Sequence, residues 1–174
     1  EPSAFAFAKL RFRGRGAMFA MGGASYDHTL IVGNLYAALH GQLRCGPCRV
    51  LPLDLRVLVT ATGLYTYPEI VVVCGEPRFL DNAFDTLLNP RVLVEVLSES
   101  TERYDRGAKF FHYRQIPSLA EYVLVSQDQA VIERFVRQDS DSWLLTEFHG
   151  TKATFDLATL PVFVVLDLHA NVTG

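Results

Sequence analysis

The sequence has no excess of basic charge, no apolar run long enough to cross a membrane, and too few cysteines for a disulfide framework. Its 16 Lys and Arg are outnumbered by 19 Asp and Glu, so no global field draws the chain to a polyanion, whose grip on proteins rests largely on Lys and Arg meeting phosphates. Any role with nucleic acid has to come from a local site. The first apolar stretch, Ala4 to Ala8, is too short and too weakly flanked for a signal peptide or a membrane span. The chain begins at Glu1 rather than Met, which leaves its N-terminus open to trimming. A cytoplasmic protein without a membrane partner is expected. Three cysteines, an odd number, do not make the paired framework of small secreted domains, which fits a reducing compartment. Cys45-Gly-Pro-Cys48 spells a redox motif, and a thiol oxidoreductase would cycle a Cys45–Cys48 disulfide. These cysteines follow a predicted helix and precede a strand, however, the reverse of the redox order. A structural zinc site wants four ligands, which Cys74 and a distant histidine complete poorly. Gly14-Arg15-Gly16 lacks the longer glycine pattern and the Lys-Ser or Lys-Thr pair of a phosphate loop. Repeats and low-complexity segments are absent too.

What is present suits one domain over residues 1–174, about half of it apolar. From Asp27 to Leu43, Leu30, Ile31, Leu35, Ala38 and Leu39 recur at helical spacing, and the helix is expected to end near Arg44-Cys45-Gly46-Pro47. Arg49 to Val59 and Glu69 to Cys74 read as paired strands around a Gly63- and Pro68-bearing loop. A polar connector leads to Val92–Ser98, which reads as a strand buried on both faces. A helix of roughly four turns follows, with Ser100 or Thr101 as its N-cap and Pro117 just past its end. Within it Phe110 and Phe111 read as core rather than as an aromatic strip for nucleic acid. Three short strands, Glu121–Ser126, Ala130–Arg137 and Ser142–Phe148, are joined by plausible hairpin turns, and Pro161–Val165 adds a last one. The expected class is a mixed α/β domain.

One residue breaks the pattern. Glu95 lies in the middle of Val-Leu-Val-Glu-Val-Leu-Ser, and an ionised carboxylate in an apolar layer costs several kcal/mol unless something compensates it. An edge position or a single basic partner would do so. Alternation along the strand gives Glu95 the face of Leu93 and Leu97. Glu69, at the start of its own strand, comes beside Glu95 if the two strands are neighbours. Two carboxylates forced together repel, and a divalent cation holds both ionised. Mg²⁺ suits an all-oxygen set of Glu69, Glu95, a backbone carbonyl such as that of Val96, and waters. On the next helix Asp105, Lys109 and Tyr113 are spaced four apart and line one face. Looking back at Glu95, Lys109 could orient a water or stabilise charge on a phosphate under attack. On spacing alone, Asp105 and Lys109 read more readily as an exposed ion pair.

Tyr-Pro-Glu-Ile-Val-Val-Val-Cys-Gly (67–75), followed by the stretch from Pro90 to Val125, resembles the Uma-type family of putative restriction endonucleases. That family's signature runs Tyr-Pro-Asp, Val-Glu-Val-Leu-Ser-Pro-Ser-Thr, Asp-Arg-Gly-x-Lys with a Tyr four residues on, Ile-Pro-Ser-Leu and Glu-Tyr. The resemblance is dense from Tyr67 to Val125 and thinner back to Gly23–His28. It implies a restriction-endonuclease-like α/β (α+β) fold, a mixed central sheet flanked by helices, that binds Mg²⁺ or Mn²⁺ to cut phosphodiester bonds of DNA, with a homodimer by analogy. It further implies that Glu69 and Glu95 are the metal-binding acids, that Lys109 is the catalytic lysine displaced onto the helix, and that Ser98, Asp105, Tyr113 and His28 support the site. Three positions depart from the pattern. Glu69 stands where an aspartate is usual, bases occupy the stretch before Gly23 where another acid is expected, and Glu99 replaces a proline. Those departures motivate the rival reading, a catalytically impaired member acting as a dimeric interaction or nucleic-acid-binding module.

Overall fold

The computed structural model describes residues 9–13, 17–21, 24–150, 152–160 and 162–167; the Ala4–Ala8 stretch and Gly14-Arg15-Gly16 lie outside them. Strands β1 (Lys9–Arg13) and β2 (Ala17–Met21) pair as an antiparallel hairpin. Helix α1 (Tyr26–Leu43) starts where Ser25 accepts the His28 N–H on its side-chain oxygen at 3.1 Å, satisfying one of the donors every helix start leaves over. Its buried residues, Ile31, Val32, Leu35, Leu39 and Leu43 among them, follow the periodicity of the sequence.

The single strand expected from Arg49 to Val59 is two, β3 (Cys48–Pro52) and β4 (Arg56–Val59). Pro52 cannot donate to a ladder, and Leu53 and Asp54 then turn through positive φ, 22° and 71°, so the chain leaves one sheet for another. Strand β5 (Leu64–Thr66) returns antiparallel to β4 through the Gly63 turn, where φ is 70°. Strand β6 (Ile70–Cys74) follows, then the two-residue β7 (Thr86–Leu87) inside the polar connector, and β8 (Val92–Leu97), all six of whose residues are buried. The next helical stretch is one path in three geometries: α2 (Glu102–Tyr104), a π-helical segment Asp105–Lys109, and α3 (Phe110–Tyr113). Strands β9 (Glu121–Ser126), β10 (Val131–Arg137) and β11 (Trp143–His149) form the expected meander, and β12 (Lys152–Leu157) pairs with β13 (Val162–Asp167).

The central sheet has six strands in the order β11-β10-β9-β8-β6-β3, antiparallel throughout except for the parallel β8–β9 pair. A parallel pair needs a crossover, and the 102–113 helical stretch supplies it. Period-two alternation sorts β8 between two cores. Val92, Val94 and Val96 pack with Ile70, Val72, Val123, Val125, α1 and the β12–β13 hairpin. Leu93 and Leu97 pack with Val71, Val73, Tyr113, Tyr122, Leu124 and the small sheet β5-β4-β7. Of the two phenylalanines expected in the core, Phe110 packs against Tyr122, Phe135 and Trp143, whereas Phe111 is exposed, with the Arg114 guanidinium over its ring at 4.9 Å. They are adjacent on a helix, so one stripe cannot bury both.

The cysteine reading is corrected. Cys48 and Cys74 are directly opposite in the β3–β6 register and form a disulfide, while Cys45 is free and exposed. An odd count argues against a framework of several bridges, but not against one bridge between residues that a sheet places face to face. The oxidoreductase reading, which needed Cys48 for Cys45, loses its partner. A thiol reagent should therefore label one cysteine of the native chain and all three after denaturation and reduction; three labelled in the native chain would show the bridge to be absent. Among the described residues no helix is long and apolar enough to cross a membrane.

Candidate functional site

Glu95 occupies the third-last position of β8, a strand flanked on both sides, so it is not an edge residue. It is 2% exposed. Its compensation comes from the helical crossover. Lys109 Nζ lies 2.7 Å from Glu95 Oε1, and Tyr113 Oη donates to the same oxygen at 2.9 Å. Lys109 Nζ also reaches Asp105 Oδ1 at 3.0 Å. Asp105 and Lys109 are 3% and 7% exposed, which overturns their reading as a surface ion pair. Spacing told which face they share but not what that face meets, and it meets the interior of the sheet.

The π-helical segment carries both residues, a widened turn of the kind that recurs at functional sites. It is pinned from outside by Arg106, which bridges Glu102 and Glu133, donating from Nε to Glu133 Oε1 at 2.9 Å. From inside, the Tyr122 hydroxyl donates to the Asp105 carbonyl at 3.1 Å.

The second acid falls into place through register. Ile70 is opposite Val94, Val71 opposite Leu93 and Val72 opposite Val92. Glu69 is the residue just before β6, next to the last ladder pair of Ile70 and Val94, and so comes to the level of Glu95. The two acids are close enough that the charge of Glu69 raises the Glu95 pKa. His28, at the start of α1, puts Nε2 3.4 Å from Glu69 Oε1. Ser98 is less directly involved: its hydroxyl meets Thr101 Oγ1 at 3.0 Å and Ser100 Oγ at 3.2 Å, and its carbonyl accepts from Thr101 and Glu102 N–H, so it shapes the turn into the helix. Val96 packs its side chain on the opposite face, with α1.

One lysine faces two buried carboxylates, Glu95 and Asp105, and the electrostatics follow. Burial pushes the Glu95 pKa up from 4.5 to about 7, with Asp105 and Glu69 adding to the rise and Lys109 opposing it. Burial pulls Lys109 down, but Glu95 and then Asp105 more than reverse this and hold its ammonium above the ordinary lysine value. Burial, with Glu95 next, raises Tyr113 well above its ordinary value, so it stays a hydrogen-bond donor.

These directions give a pH dependence of stability. The folded value of Glu95 is raised above its unfolded value, so with a chelator present the folded state binds more protons between pH 4.5 and about 7. The corresponding stability is full at the acid end of that window and is lost as pH rises through it, by roughly 3 kcal/mol. Urea unfolding of the wild type and of Glu95→Gln across the window should show the wild type losing stability relative to the variant as pH rises; a constant difference would contradict the buried, proton-retaining Glu95.

The donor chemistry fits a hard cation. The contacts that Lys109 Nζ and Tyr113 Oη make with Glu95 both end on Oε1. Among the described residues no three of His, Cys, Asp and Glu group as ligands; Glu69 and Glu95 are the carboxylates that could hold a cation, with a carbonyl such as that of Val96 and waters to complete the set. Mg²⁺ is commonly held in that way, by one or two carboxylates plus substrate phosphate. Two contributors escaped the sequence reading. Thr66, buried on β5, places Oγ1 3.0 Å from Tyr113 Oη, and β5 is too short to give a periodic signal. Tyr122 lies opposite Leu93 in the parallel β8–β9 register, on the face of Glu95, a pairing that no local spacing encodes.

Comparison with known proteins places the fold and the family. The chain is 31% identical over 148 residues to the uncharacterized protein sll1609 of Synechocystis, covering 85% of this chain and 84% of that one. It is 35% identical over 136 residues to a second Synechocystis protein, slr1290, likewise uncharacterized, covering 78% and 70%. Among solved structures, a putative nuclease belonging to DUF820 from Anabaena variabilis superposes with a TM-score of 0.69 at 14% identity, over 88% of this chain and 86% of that one. That likeness establishes the fold as the restriction-endonuclease-like arrangement of a mixed sheet flanked by helices. Since the sequence profile of the family spans residues 9–169, nearly the whole sheet and both sides of the Glu95 cluster, the chain belongs to the Uma2 family of putative restriction endonucleases.

Proposed function

We propose that the chain is an endonuclease that hydrolyses phosphodiester bonds of DNA with Mg²⁺ or Mn²⁺ held by Glu69 and Glu95. The observation that carries this reading is a glutamate buried in a central strand, near enough to a second acid to feel its charge and backed by a buried lysine. When bound, the cation would supply positive charge against the scissile phosphate. Lys109 and Tyr113 hold Glu95 by Oε1, which would leave Oε2 for the cation. With its pKa held above the ordinary value, Lys109 keeps its proton at neutral pH. It therefore acts as a fixed cation that orients the attacking water and stabilises charge on the phosphate, rather than as a general base. Asp105 holds the ammonium from its far side, and His28 steadies Glu69. Cutting both strands of a duplex calls for two such sites, which a homodimer would provide.

A cleavage assay on plasmid DNA with Mg²⁺ or Mn²⁺ tests the proposal. Wild type should nick or linearise it, with the activity removed by a chelator. Inactivity of wild type under both cations would favour the rival reading of a catalytically impaired nucleic-acid-binding module. One feature speaks for that rival: Lys109 and Tyr113 already compensate Glu95 from within the chain.

A further inference from the structure

We infer that Thr66 is a positioning residue for the cation site, acting on Glu95 through the hydroxyl of Tyr113. This rests on the metal-dependent reading above and names a residue outside the acids, the lysine and the tyrosine already placed there.

Tyr113 has one proton to give. Its hydroxyl lies 2.9 Å from Glu95 Oε1 and 3.0 Å from Thr66 Oγ1. A carboxylate ionised by a cation can only accept, so Tyr113 donates to Glu95. The Thr66 hydroxyl must then donate to Tyr113. All three groups are buried, Tyr113 fully, so no bulk water substitutes for either bond. The relay is short and directional. Thr66 satisfies the tyrosine oxygen, which leaves the tyrosine proton a single acceptor, and the bonded Oε1 fixes how Glu95 turns and where Oε2 points.

The residues come from three different elements: β5 for Thr66, α3 for Tyr113 and β8 for Glu95. Thr66 lies three positions before Glu69, so a single short segment supplies both one acid and the support of the other. Tyr113 is further confined by packing edge-on to Tyr122, with ring centroids 5.2 Å apart, so its ring is fixed by packing and its hydroxyl by Thr66. Partners that orient metal ligands in this way are typically worth about 10- to 100-fold in metal affinity.

The test is calorimetric titration with Mn²⁺ at about pH 8, above the range in which Glu95 retains a proton, on wild type, Thr66→Val, Thr66→Ser, Tyr113→Phe and the Thr66→Val/Tyr113→Phe double variant. Valine keeps the shape and removes the donor. Thr66→Val should bind Mn²⁺ about 10-fold or more weakly, and Thr66→Ser should restore most of the loss. In the Tyr113→Phe background Thr66→Val should add nothing, since the hydroxyl it acts through is gone. A merely structural threonine would lower the unfolding midpoint but leave Mn²⁺ affinity in place, and that result overturns the role. So does a Thr66→Val loss that adds in full to that of Tyr113→Phe. If Thr66→Val does not fold, Thr66→Ser and Tyr113→Phe still decide: wild-type affinity in Tyr113→Phe, or a full loss in Thr66→Ser, contradicts the relay. Absence of Mn²⁺ binding by wild type overturns the cation site itself and the positioning role with it, whereas unchanged binding by Thr66→Val overturns the positioning role alone.

Discussion

Lys109→Ala is expected to abolish cleavage and to destabilise the fold by about 3–5 kcal/mol at mildly alkaline pH, the range seen when one partner of a buried ion pair is removed. The reason is the count of charges around it. Its ammonium is the described group within contact of both Glu95 and Asp105, and each carboxylate is almost fully buried. Without the ammonium, Glu95 loses the charge of Lys109, which lowers its pKa, and holds its proton to still higher pH. The variant is therefore least impaired at acid pH, where that proton is present, and the deficit grows as pH rises. Urea unfolding of wild type and Lys109→Ala at about pH 5 and about pH 8 reads this directly. Lys109→Met, which keeps the aliphatic stem, should recover packing but not activity. A deficit that is equal at both pH values would mean that lost packing, not uncompensated charge, is responsible.

Glu95→Gln should separate function from folding in the opposite way. The amide removes the charge whose burial is unfavourable and keeps the shape, so the variant should fold at least as stably as the wild type near pH 8 with a chelator present. Removing a carboxylate donor from a two-carboxylate cation site should nevertheless abolish Mn²⁺ binding, and lower cleavage by on the order of 100-fold or more. Calorimetry and a plasmid assay on the same preparation measure both. Retained cleavage with Glu95→Gln would place the chemistry elsewhere, or in a contaminant.

Much of the fold is readable in the sequence because its signals are local and periodic. The apolar stripe of α1, the doubly buried run of β8 and the β9–β10–β11 meander each follow from spacing and from turn residues at their ends. Pairing between distant segments is not encoded locally, and there the reading was uneven. Glu69 and Glu95 can be suspected as neighbours because both belong to strand-like stretches, but only the antiparallel β6–β8 register, whose last pair is Ile70 and Val94, brings the residue before β6 near Glu95. The same kind of register, between β3 and β6, joins Cys48 to Cys74, and the count of cysteines gave no hint of it. Pro52 is a ladder-breaker legible in the sequence, but the break at Leu53 and Asp54 depends on a turn conformation that leucine rarely adopts. The burial of Asp105 and Lys109 likewise depends on what lies across from the helix rather than on the helix itself. Spacing put them on one face with Tyr113, and tertiary packing decided that this face is interior.

The proposed chemistry requires Glu95 and Glu69 to share one divalent cation. A crystal of the wild-type chain soaked in Mn²⁺, with anomalous differences collected at the manganese edge, tests that most directly. The expected result is one strong anomalous peak between the two side chains, about 2.0–2.3 Å from an oxygen of each, with Lys109 Nζ still against Glu95 Oε1. No peak there, or a peak held by other acids while Glu69 and Glu95 point apart, would contradict it.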